Sequence, residues 1–509
     1  MFAMERAVPF WLRALAAALA GGLVPLAFAP FDLWPLVLIA PALLWLCLRD
    51  QSARHGAWLG WLFGLGFYGV GISWVYVSIH TYGNASVLLA GLLTAAFVAA
   101  LALLSAAQGW MYGRLFGRGA GQWLGFVGLW LVWEWIRSWL LTGFPWLYLG
   151  YPLIDTPLAL WAPVGGVWAL SLIAVLLGTG LAQLILAPNR RSRLLCATLI
   201  SIPLLGSALL PTSWTQPFGA PLKVALVQGN IPQQLKWDAD SLHNILRRYQ
   251  QLSLQAGKVD LLIWPETAIP ATLNRAERQL NPFIETLERS GTGFISGLPS
   301  VLQDNRNPGR SIYHNSLAIL TPQSAVYHKQ RLVPFGEYVP LESWLRGLID
   351  FFNLPMSAFS LPQTEQQALP FRHHRIAAAI CYEIAYPELV RRSSLESDLL
   401  LTVSNDTWFG RSIAPDQHLQ IARMRALETG RWLIRATNNG ISALVDDQGK
   451  LRALAPRYQS AVLIDDVQAM RGLTPYQRTG VWPALLIALL CCALAQPCLR
   501  RTACTTAHT

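Results

Sequence analysis

The sequence has few charged residues for its length. Asp, Glu, Lys and Arg make up 13% of its 509 residues and 53% are hydrophobic, whereas roughly a quarter of the residues are charged in an average soluble protein. This composition excludes an ordinary soluble protein and indicates a membrane protein. The apolar excess lies in residues 1–211 and 480–499, and the region between them has a globular composition. We therefore expect a bundle of spanning helices that carries one water-facing domain.

Two further features that the sequence lacks argue against nucleic-acid binding and against a metal site or a disulfide framework. The net charge of +11 is compatible with nucleic-acid binding, but the globular region has no basic patch with interleaved aromatic residues. The cysteines form no CxxC pair and have no metal-ligand spacing with histidine, so we predict no disulfide framework and no metal site. No cofactor is implied. The seven are Cys47, Cys196, Cys381, Cys491, Cys492, Cys498 and Cys504.

Eight apolar windows are long enough to cross the roughly 30 Å core of a bilayer. The first ends in a sequence that resembles a signal-peptidase site, but a second window follows directly, so we expect a retained helix. Arginines lie in alternate loops, which predicts cytoplasmic termini and a globular domain on the outer side. The windows are 10–29, 33–49, 56–79, 85–112, 121–142, 160–187, 194–211 and 481–499.

Glu134 and Arg137 fall within the aromatic-rich segment 130–151 of the membrane part. Charged groups in spanning segments usually face a bundle interior or a cavity, so these two could pair with each other or contact a lipid head group. The alternative is that the aromatic residues form an interfacial belt and that Arg137 merely extends to the membrane surface.

The water-facing region alternates strand-like and helix-like segments. Near-continuous apolar strands that alternate with helices predict a layered α/β domain. The predicted boundaries are a bundle at 1–211, a linker at 212–222, the α/β domain at 223–470, a linker at 471–480, a last helix at 481–499 and a tail at 500–509. Strands are expected at 223–228, 259–264, 293–298, 315–320, 325–328, 376–380, 399–404, 432–438, 442–446 and 461–464, and helices at 239–256, 277–290 and 417–430.

Cys381 follows the apolar run 376–380, which is long enough for a buried strand. Pro387 comes shortly afterwards, so the thiol is expected at a strand end or in a tight turn. A single free cysteine is more often a small packed side chain than a nucleophile, so Cys381 alone does not predict catalysis.

Glu266 and Lys329 also follow predicted strands, in IWPETAIP and YHKQRLVPFGEYVP. A cysteine nucleophile needs a nearby base or cation, and acyl transfer needs a donor where the oxyanion forms. Taken singly, Glu266 is equally explained as a helix-start acid and Lys329 as a solvated loop charge. Together with Cys381 they form a set that is suited to acyl transfer.

These three residues in WPET, HKQRLVPFGEYVP and ICYE resemble the Glu-Lys-Cys triad of the nitrilase superfamily. A nitrilase-like domain between a seventh and an eighth spanning helix resembles the apolipoprotein N-acyltransferase family, including SWVYVSIHTYG and LTGFPW in the membrane part. The resemblance covers essentially the whole chain. It implies a membrane α-helical bundle with an inserted α-β-β-α sandwich, located in the bacterial inner membrane with the catalytic domain in the periplasm.

The same resemblance implies a ping-pong reaction without a cofactor. A phospholipid, typically phosphatidylethanolamine, gives its sn-1 acyl chain to Cys381 as a thioester. The α-amino group of a diacylglyceryl-cysteine on an apolipoprotein then takes the chain, which completes lipoprotein maturation. Glu266 would be the general base and Lys329 would stabilise the oxyanion. We expect a monomer.

Further positions are assigned by resemblance. Glu337 is expected to support the triad from behind, and Tyr382 and Glu383 flank the nucleophile, with the Tyr382 backbone N–H as a candidate oxyanion donor. Trp237 and the loop 404–410 (SNDTWFG), which contains Trp408, resemble family positions around the pocket mouth. An aromatic residue there could line an acyl-chain path or pack in the core.

Two alternative functions are compatible with parts of the sequence, and one further segment has more than one possible role. The triad alone supports a membrane-tethered amidase equally well, although a small soluble substrate does not need a bundle of helices. A transporter would need charged residues along its helices, which offer few besides Glu134 and Arg137. The segment 344–359 combines Trp, Leu and Phe with few charges, which predicts a membrane-facing arm, a lid over the site, or both.

Overall fold

The structure is a computed structural model that describes residues 8–116, 121–187, 189–303, 311–334, 336–338 and 359–496. Contacts divide the chain into two compact units. The first comprises 1–76, 87–211 and 479–509, and the second comprises 77–86 and 212–478. The second unit therefore includes a short segment that lies far upstream of the predicted α/β domain.

The first unit consists of apolar helices, and each of the eight predicted windows overlaps one of them. Among the described residues, four helical spans are long and apolar enough to cross a membrane, and the number rises to five if Ala53–Gly71 and Val75–Tyr82, bent by 59°, form one span. Leu36–Leu48 and Trp482–Ala495 are apolar but shorter. The predicted number of eight spans is therefore not confirmed. The helices are Phe10–Leu23, Leu36–Leu48, Ala53–Gly71, Val87–Leu115, Gln122–Arg137, Ala162–Leu186, Arg190–Leu209 and Trp482–Ala495.

Glycines bring the helices Ala53–Gly71 and Val87–Leu115 into close contact. A Cβ atom on Gly56 would collide with the carbonyl oxygen of Gly109, and one on Gly109 would collide with that of Gly56. Helices in lipid gain no hydrophobic stabilisation from meeting each other, so close backbone packing between small residues stabilises their association. This contact is typical of a membrane-embedded bundle.

Glu134 and Arg137 are both buried in the first unit, at 4% and 6% exposure. The Arg137 guanidinium donates hydrogen bonds to the Tyr68 hydroxyl at 2.7 Å and to the Leu147 carbonyl at 3.3 Å. Glu134 Oε1 accepts from the Leu149 backbone N–H at 3.0 Å. Backbone groups of irregular segments need such partners in apolar surroundings. The two side chains thus hold the segment that follows their helix, and Arg137 points inward rather than to the surface.

The second unit contains two six-stranded sheets. Its strands are β1 (Gln216–Pro217), β2 (Leu222–Gln228), β3 (Leu261–Ile263), β4 (Gly293–Gln303), β5 (Ser311–Thr321), β6 (Ala325–His328), β7 (Leu369–Phe371), β8 (His374–Ile380), β9 (Leu399–Ser404), β10 (Leu433–Thr437), β11 (Ala443–Val445), β12 (Leu451–Leu454), β13 (Ala461–Val467) and β14 (Met470–Arg471). One sheet has the order β13-β2-β3-β4-β5-β6 and the other β12-β11-β10-β9-β8-β7. All the predicted strands are present.

The two sheets pack face to face and helices cover their outer faces. Leu226 and Ile263 of one sheet share a buried cluster with Ile380, Leu401 and Ile434 of the other. The parallel strands β2, β3, β8, β9 and β10 are buried on both faces, which explains why they are apolar along most of their length. The predicted α-β-β-α layering is confirmed. The covering helices are Leu242–Ser253 and Leu273–Arg289 on one side and Pro387–Ser394 and Ala414–Thr429 on the other.

Candidate active site

Cys381 lies directly after β8, where the chain turns into the short 3-10 helix Cys381–Ala385. Its backbone φ is 55°, a left-handed conformation that costs a residue with a side chain roughly 1–3 kcal/mol. The last five residues of β8 are buried, whereas Cys381 is partly exposed. The predicted strand-end position is confirmed, and the strained turn brings the thiol out of the sheet.

Glu266 follows β3 and is 5% exposed. Its Oε1 accepts a hydrogen bond from Asn315 Nδ2 at 2.8 Å, and its Oε2 accepts one from the Asn405 backbone N–H at 2.8 Å. The next α-helix begins only at Leu273, so the alternative of a helix-start acid is wrong. Two donors from separate parts of the chain hold this carboxylate in one orientation.

Lys329 follows β6 and is 1% exposed, so the alternative of a solvated loop charge is wrong. Its Nζ lies 2.9 Å from Glu337 Oε1 and 3.5 Å from Glu266 Oε1. Burial alone would lower the pKa of Lys329, but the two carboxylates outweigh burial and raise it. Lys329 is therefore a fixed cation and cannot act as a base near neutral pH.

The thiol of Cys381 is protonated at rest. Burial and the Glu266 carboxylate raise the pKa of this thiol, and Lys329 opposes them only in part. Because the thiolate is the nucleophilic form, such a thiol must give its proton to a base as it attacks. Glu266 is a carboxylate at the site that can take this proton.

Asn315 and Glu337 join these groups into one cluster. Asn315 Nδ2 lies 2.8 Å from both Glu266 Oε1 and Glu337 Oε1. The other oxygen of Glu337 accepts from the Val333 backbone N–H at 2.9 Å. Glu337 thus lies behind the cation, as the resemblance implied. The sequence analysis missed Asn315, which it placed only at the start of a strand.

Glu383 is fully buried and connects two parts of the site. Its Oε1 accepts hydrogen bonds from the backbone N–H groups of Gln330 and Arg331, directly after the cation. Its Oε2 accepts from the Ile380 N–H at 2.7 Å, directly before Cys381, and from the Tyr327 hydroxyl at 3.1 Å. Burial raises the pKa of Glu383 to about 7, although these donors favour the ionised form. One carboxylate thus connects the turn of Cys381 to the loop that follows Lys329.

A second buried network lies behind Cys381. Arg435 Nη2 donates to Asp406 Oδ2 at 2.8 Å and to His418 Nδ1 at 3.1 Å. His418 Nε2 then carries the ring proton and donates to the carbonyl oxygen of Cys381 at 3.2 Å. Burial would raise the pKa of Asp406, but the Arg435 guanidinium holds it well below its usual range. The sequence analysis singled out the segment 404–410 but missed this network, because its members are far apart in the sequence.

Arg435→Met is expected to lower the free energy of unfolding by about 3–5 kcal/mol, because it leaves a buried carboxylate without its cation. Adding Asp406→Asn should recover part of this loss. The depressed pKa of Asp406 stabilises the wild type above about pH 4 and this contribution is lost as the pH falls, so the difference between wild type and variant should shrink in acid. Thermal unfolding at neutral and acidic pH measures both effects.

The control for this prediction is Arg452→Met, which removes an exposed cation 3.8 Å from Asp446. A surface pair of this kind contributes less than about 1 kcal/mol, so the melting temperature should hardly change. Equal losses for the Arg435 and Arg452 variants would show that the buried network does not stabilise the turn of the nucleophile.

Trp237 and Trp408 belong to one small apolar cluster. Both pack with Leu332 and Phe359, and the Trp408 carbonyl accepts a hydrogen bond from the Ser78 hydroxyl at 2.8 Å. Phe359 is the last residue of the predicted arm or lid. The rest of that segment, 344–358, lies outside the described residues.

Tyr382 is partly exposed directly after the nucleophile. Its ring lies edge-on to that of Tyr386 at 5.2 Å between centroids. This contact keeps the aromatic side chain beside the turn that carries Cys381. The structure thus brings Cys381, Glu266, Lys329, Glu337 and Glu383 together, whereas Arg137 belongs to the other unit.

Two family models match the chain. Residues 223–476 match the carbon-nitrogen hydrolase family, and residues 20–180 match the apolipoprotein N-acyltransferase N-terminal domain. The second unit is therefore a carbon-nitrogen hydrolase domain, in agreement with the resemblance to the nitrilase superfamily.

Relatives match nearly the full length of the chain. It is 47% identical to the apolipoprotein N-acyltransferase of Pseudomonas syringae pv. tomato, over 95% of this chain and 96% of the relative. For the enzyme of that name from Azotobacter vinelandii the identity is 48%, over 95% of this chain and 94% of the relative. For that of Vibrio vulnificus it is 41%, over 96% and 98%. The chain belongs to the apolipoprotein N-acyltransferase family.

Proposed function

We propose that this protein transfers the sn-1 acyl chain of a phospholipid such as phosphatidylethanolamine to the N-terminal α-amino group of diacylglyceryl-cysteine in apolipoproteins. One observation carries the proposal. A partly exposed thiol on a strained turn adjoins a buried carboxylate and a buried ammonium, in a chain that belongs to an N-acyltransferase family over most of its length. The product is a lipoprotein with a third acyl chain.

The first step forms a thioester. Glu266 takes the proton of the Cys381 thiol while the sulfur attacks the ester carbonyl of the phospholipid, forming a C–S bond. The tetrahedral intermediate breaks its C–O bond, and the proton on Glu266 goes to the leaving oxygen. Lysophospholipid departs and the acyl chain stays on the sulfur.

The second step passes the chain to an amine. Glu266 takes a proton from the attacking amino group, a C–N bond forms, and the C–S bond breaks. The leaving sulfur is reprotonated, which restores the resting thiol. A thioester is activated enough for this attack, whereas an oxygen ester at the same position would react more slowly.

Lys329 supplies the fixed positive charge that both tetrahedral intermediates need. Its ammonium is held by Glu337 and Glu266 at 2.9 and 3.5 Å, so it does not have to reorganise as the oxyanion develops. The Tyr382 backbone N–H, on the turn directly after the nucleophile, is a second donor in this proposal. Asn315 supports both carboxylates from one amide group.

The apolar surroundings fit a lipid donor. In this proposal Trp237 and Trp408, with Leu332 and Phe359, border the path of the acyl chain. Arg137 contributes from the bundle by holding the segment that follows its helix.

We assign the chain to the bacterial inner membrane as a monomer. The proposed arrangement has eight spans within 1–211 and 481–499, cytoplasmic termini and a periplasmic catalytic domain at 223–470. The alternation of arginine-rich and arginine-free loops supports it. The described apolar helices are consistent with membrane insertion.

The alternative, a membrane-tethered amidase, would use the same triad and pass the acyl group to water. It has less support, because the match to the relatives covers the helical unit as well as the hydrolase domain. The two functions differ in the acceptor, which makes them separable by experiment.

The test supplies purified protein with phosphatidylethanolamine and a synthetic diacylated lipopeptide that has a free N-terminal amine. Mass spectrometry is expected to show a lipopeptide heavier by one acyl chain, together with lysophospholipid. The matched control is the same lipopeptide with an acetylated amine, which should stay unchanged. Release of free fatty acid without lipopeptide acylation, or hydrolysis of small amides at a higher rate, would favour the amidase instead.

A further inference from the structure

Lys236 is a second buried cation beside the candidate base. It ends the short helix Gln233–Lys236 and is 1% exposed. Its Nζ donates to the backbone carbonyl of Glu266 at 3.3 Å. The sequence analysis noted its neighbour Trp237 but gave Lys236 no role.

Packing does not explain a lysine at this position. Among the described residues, no carboxylate oxygen lies within 4.0 Å of its ammonium, and a buried cation without an ionic partner is costly. Burial lowers the pKa of Lys236 to about 8, and the nearby Glu266 only partly opposes this. A methionine would fill similar space without that cost. The charge itself is therefore the property that needs an explanation.

The charges of the neighbouring groups explain why a cation is needed at this position. Glu266 and Glu337 are two carboxylates that share one cation, Lys329, at 3.5 and 2.9 Å. Without Lys236 this buried cluster has a net charge of −1. With Lys236 it is neutral while the Cys381 thiol is protonated. A site with an uncompensated negative charge would resist the formation of a thiolate at Cys381.

We propose that Lys236 is a positioning residue that holds the Glu266 segment and offsets the second carboxylate of the cluster, and thereby favours transfer of the thiol proton to Glu266. Its ammonium acts through Glu266 and does not contact the acyl group. The role deepens the proposed function, on which its catalytic consequence rests.

Other charged groups near the nucleophile do not supply this charge. Asp406 is paired with Arg435 at 2.8 Å, so this pair is neutral as a whole. Burial and Arg435 lower the pKa of His418, which is therefore neutral. Glu383 lies on the side of the cation loop and adds negative charge when ionised. Lys236 is thus the cation that offsets the second carboxylate.

The test measures the rate of alkylation of Cys381 by iodoacetamide at pH 7 in the full-length protein, followed by peptide mass spectrometry. At this pH Lys236 is mostly charged, and the rate reports how readily the thiolate, the reacting form, is produced. In Lys236→Met the rate is expected to fall about tenfold or more, because a cation at close range is lost. Lys236→Arg should restore most of the wild-type rate, since it keeps the charge.

The matched control is Lys258→Met, which removes an exposed cation of the same unit and should leave the alkylation rate unchanged. Lys236→Met should also be at least as thermally stable as the wild type, because it removes an unpaired buried charge. A wild-type alkylation rate in a folded Lys236→Met protein overturns the proposal. So does a destabilised Lys236→Met protein with an unchanged alkylation rate, since this would mark a structural role.

Acyl transfer from phosphatidylethanolamine is then measured on the same proteins. Lys236→Met should transfer the acyl chain about tenfold more slowly at pH 7, in line with its slower alkylation. Slower alkylation of Lys236→Met, together with a wild type that transfers no acyl chain, would leave the role of Lys236 intact and count against the proposed function alone.

Discussion

Incubation with phosphatidylethanolamine is expected to increase the mass of the intact protein by one acyl chain, and Cys381→Ala is expected to abolish this increase. The thiol forms the bond that carries the chain, so its removal should slow the overall transfer by about 10³-fold or more. Neutral hydroxylamine should release the chain from the wild type, because it cleaves thioesters. Intact mass spectrometry, followed by peptide mapping, locates the adduct.

Cys196→Ala is the matched control for this prediction. Cys196 lies in the first unit and is 2% exposed, so the variant should form the adduct at the wild-type rate. Cys381→Ser adds a second comparison, because its acyl ester should resist hydroxylamine and pass the chain on slowly. An adduct that persists in Cys381→Ala, or that maps to another cysteine, would show that Cys381 is not the nucleophile.

Glu383→Gln is expected to lower both stability and activity strongly. The carboxylate accepts hydrogen bonds on both oxygens from four donors, among them the Ile380 N–H at 2.7 Å and the Arg331 N–H at 3.1 Å. The amide has only one oxygen, and its NH₂ group would face two donors. The loss of free energy of unfolding should be about 2–5 kcal/mol, since two buried donors are left without acceptors.

Activity should fall by at least about 100-fold, because a small displacement of a catalytic group is costly. Thermal unfolding and single-turnover thioester formation measure the two effects. Glu388→Gln is the control. Glu388 is about half exposed and pairs with Arg391 at 2.7 Å, so this variant should change stability by less than about 1 kcal/mol. A folded Glu383→Gln protein with nearly normal activity would show that the shared carboxylate is not needed to align the site.

The strands with the clearest apolar runs were predictable because they are buried on both faces. β9 begins and ends at the residues that its apolar run predicts. The helix Ala414–Thr429 begins three residues before its prediction, because Pro415 stands in its first turn, where proline is tolerated. β7 and β12 were missed, since they are short and β12 is mostly exposed. Periodicity is weak over so few residues.

The helices of the first unit show a different limit of prediction from the sequence. Apolar composition predicts where each helix lies but not how long it is. The window 56–79 contains a bend of 59° between Ala53–Gly71 and Val75–Tyr82, and the apolar stretch at 481–499 forms the 14-residue helix Trp482–Ala495. The number of spans depends on these lengths and bends, which the packing of neighbouring segments determines.

The site residues that lie in recognisable sequence motifs were predictable. Cys381, Glu266 and Lys329 each follow a strand, and strand ends are visible in the sequence. Asn315 and Lys236 were not predictable in the same way, because an asparagine within a strand and a lysine near a tryptophan are ordinary. Their importance appears only when distant segments are brought within hydrogen-bond distance of Glu266.

The second unit is built from two separate parts of the sequence, the short segment 77–86 and the long segment 212–478. The Ser78 hydroxyl holds the Trp408 carbonyl at 2.8 Å, and the Tyr82 ring meets the Trp408 ring edge-on at 5.7 Å. Both residues come from the N-terminal half of the chain, yet they complete the surroundings of a loop in the C-terminal half. The carbon-nitrogen hydrolase domain therefore cannot be exchanged between relatives as one continuous segment. A chimera between relatives would have to exchange 77–86 together with 212–478 in order to keep these contacts matched.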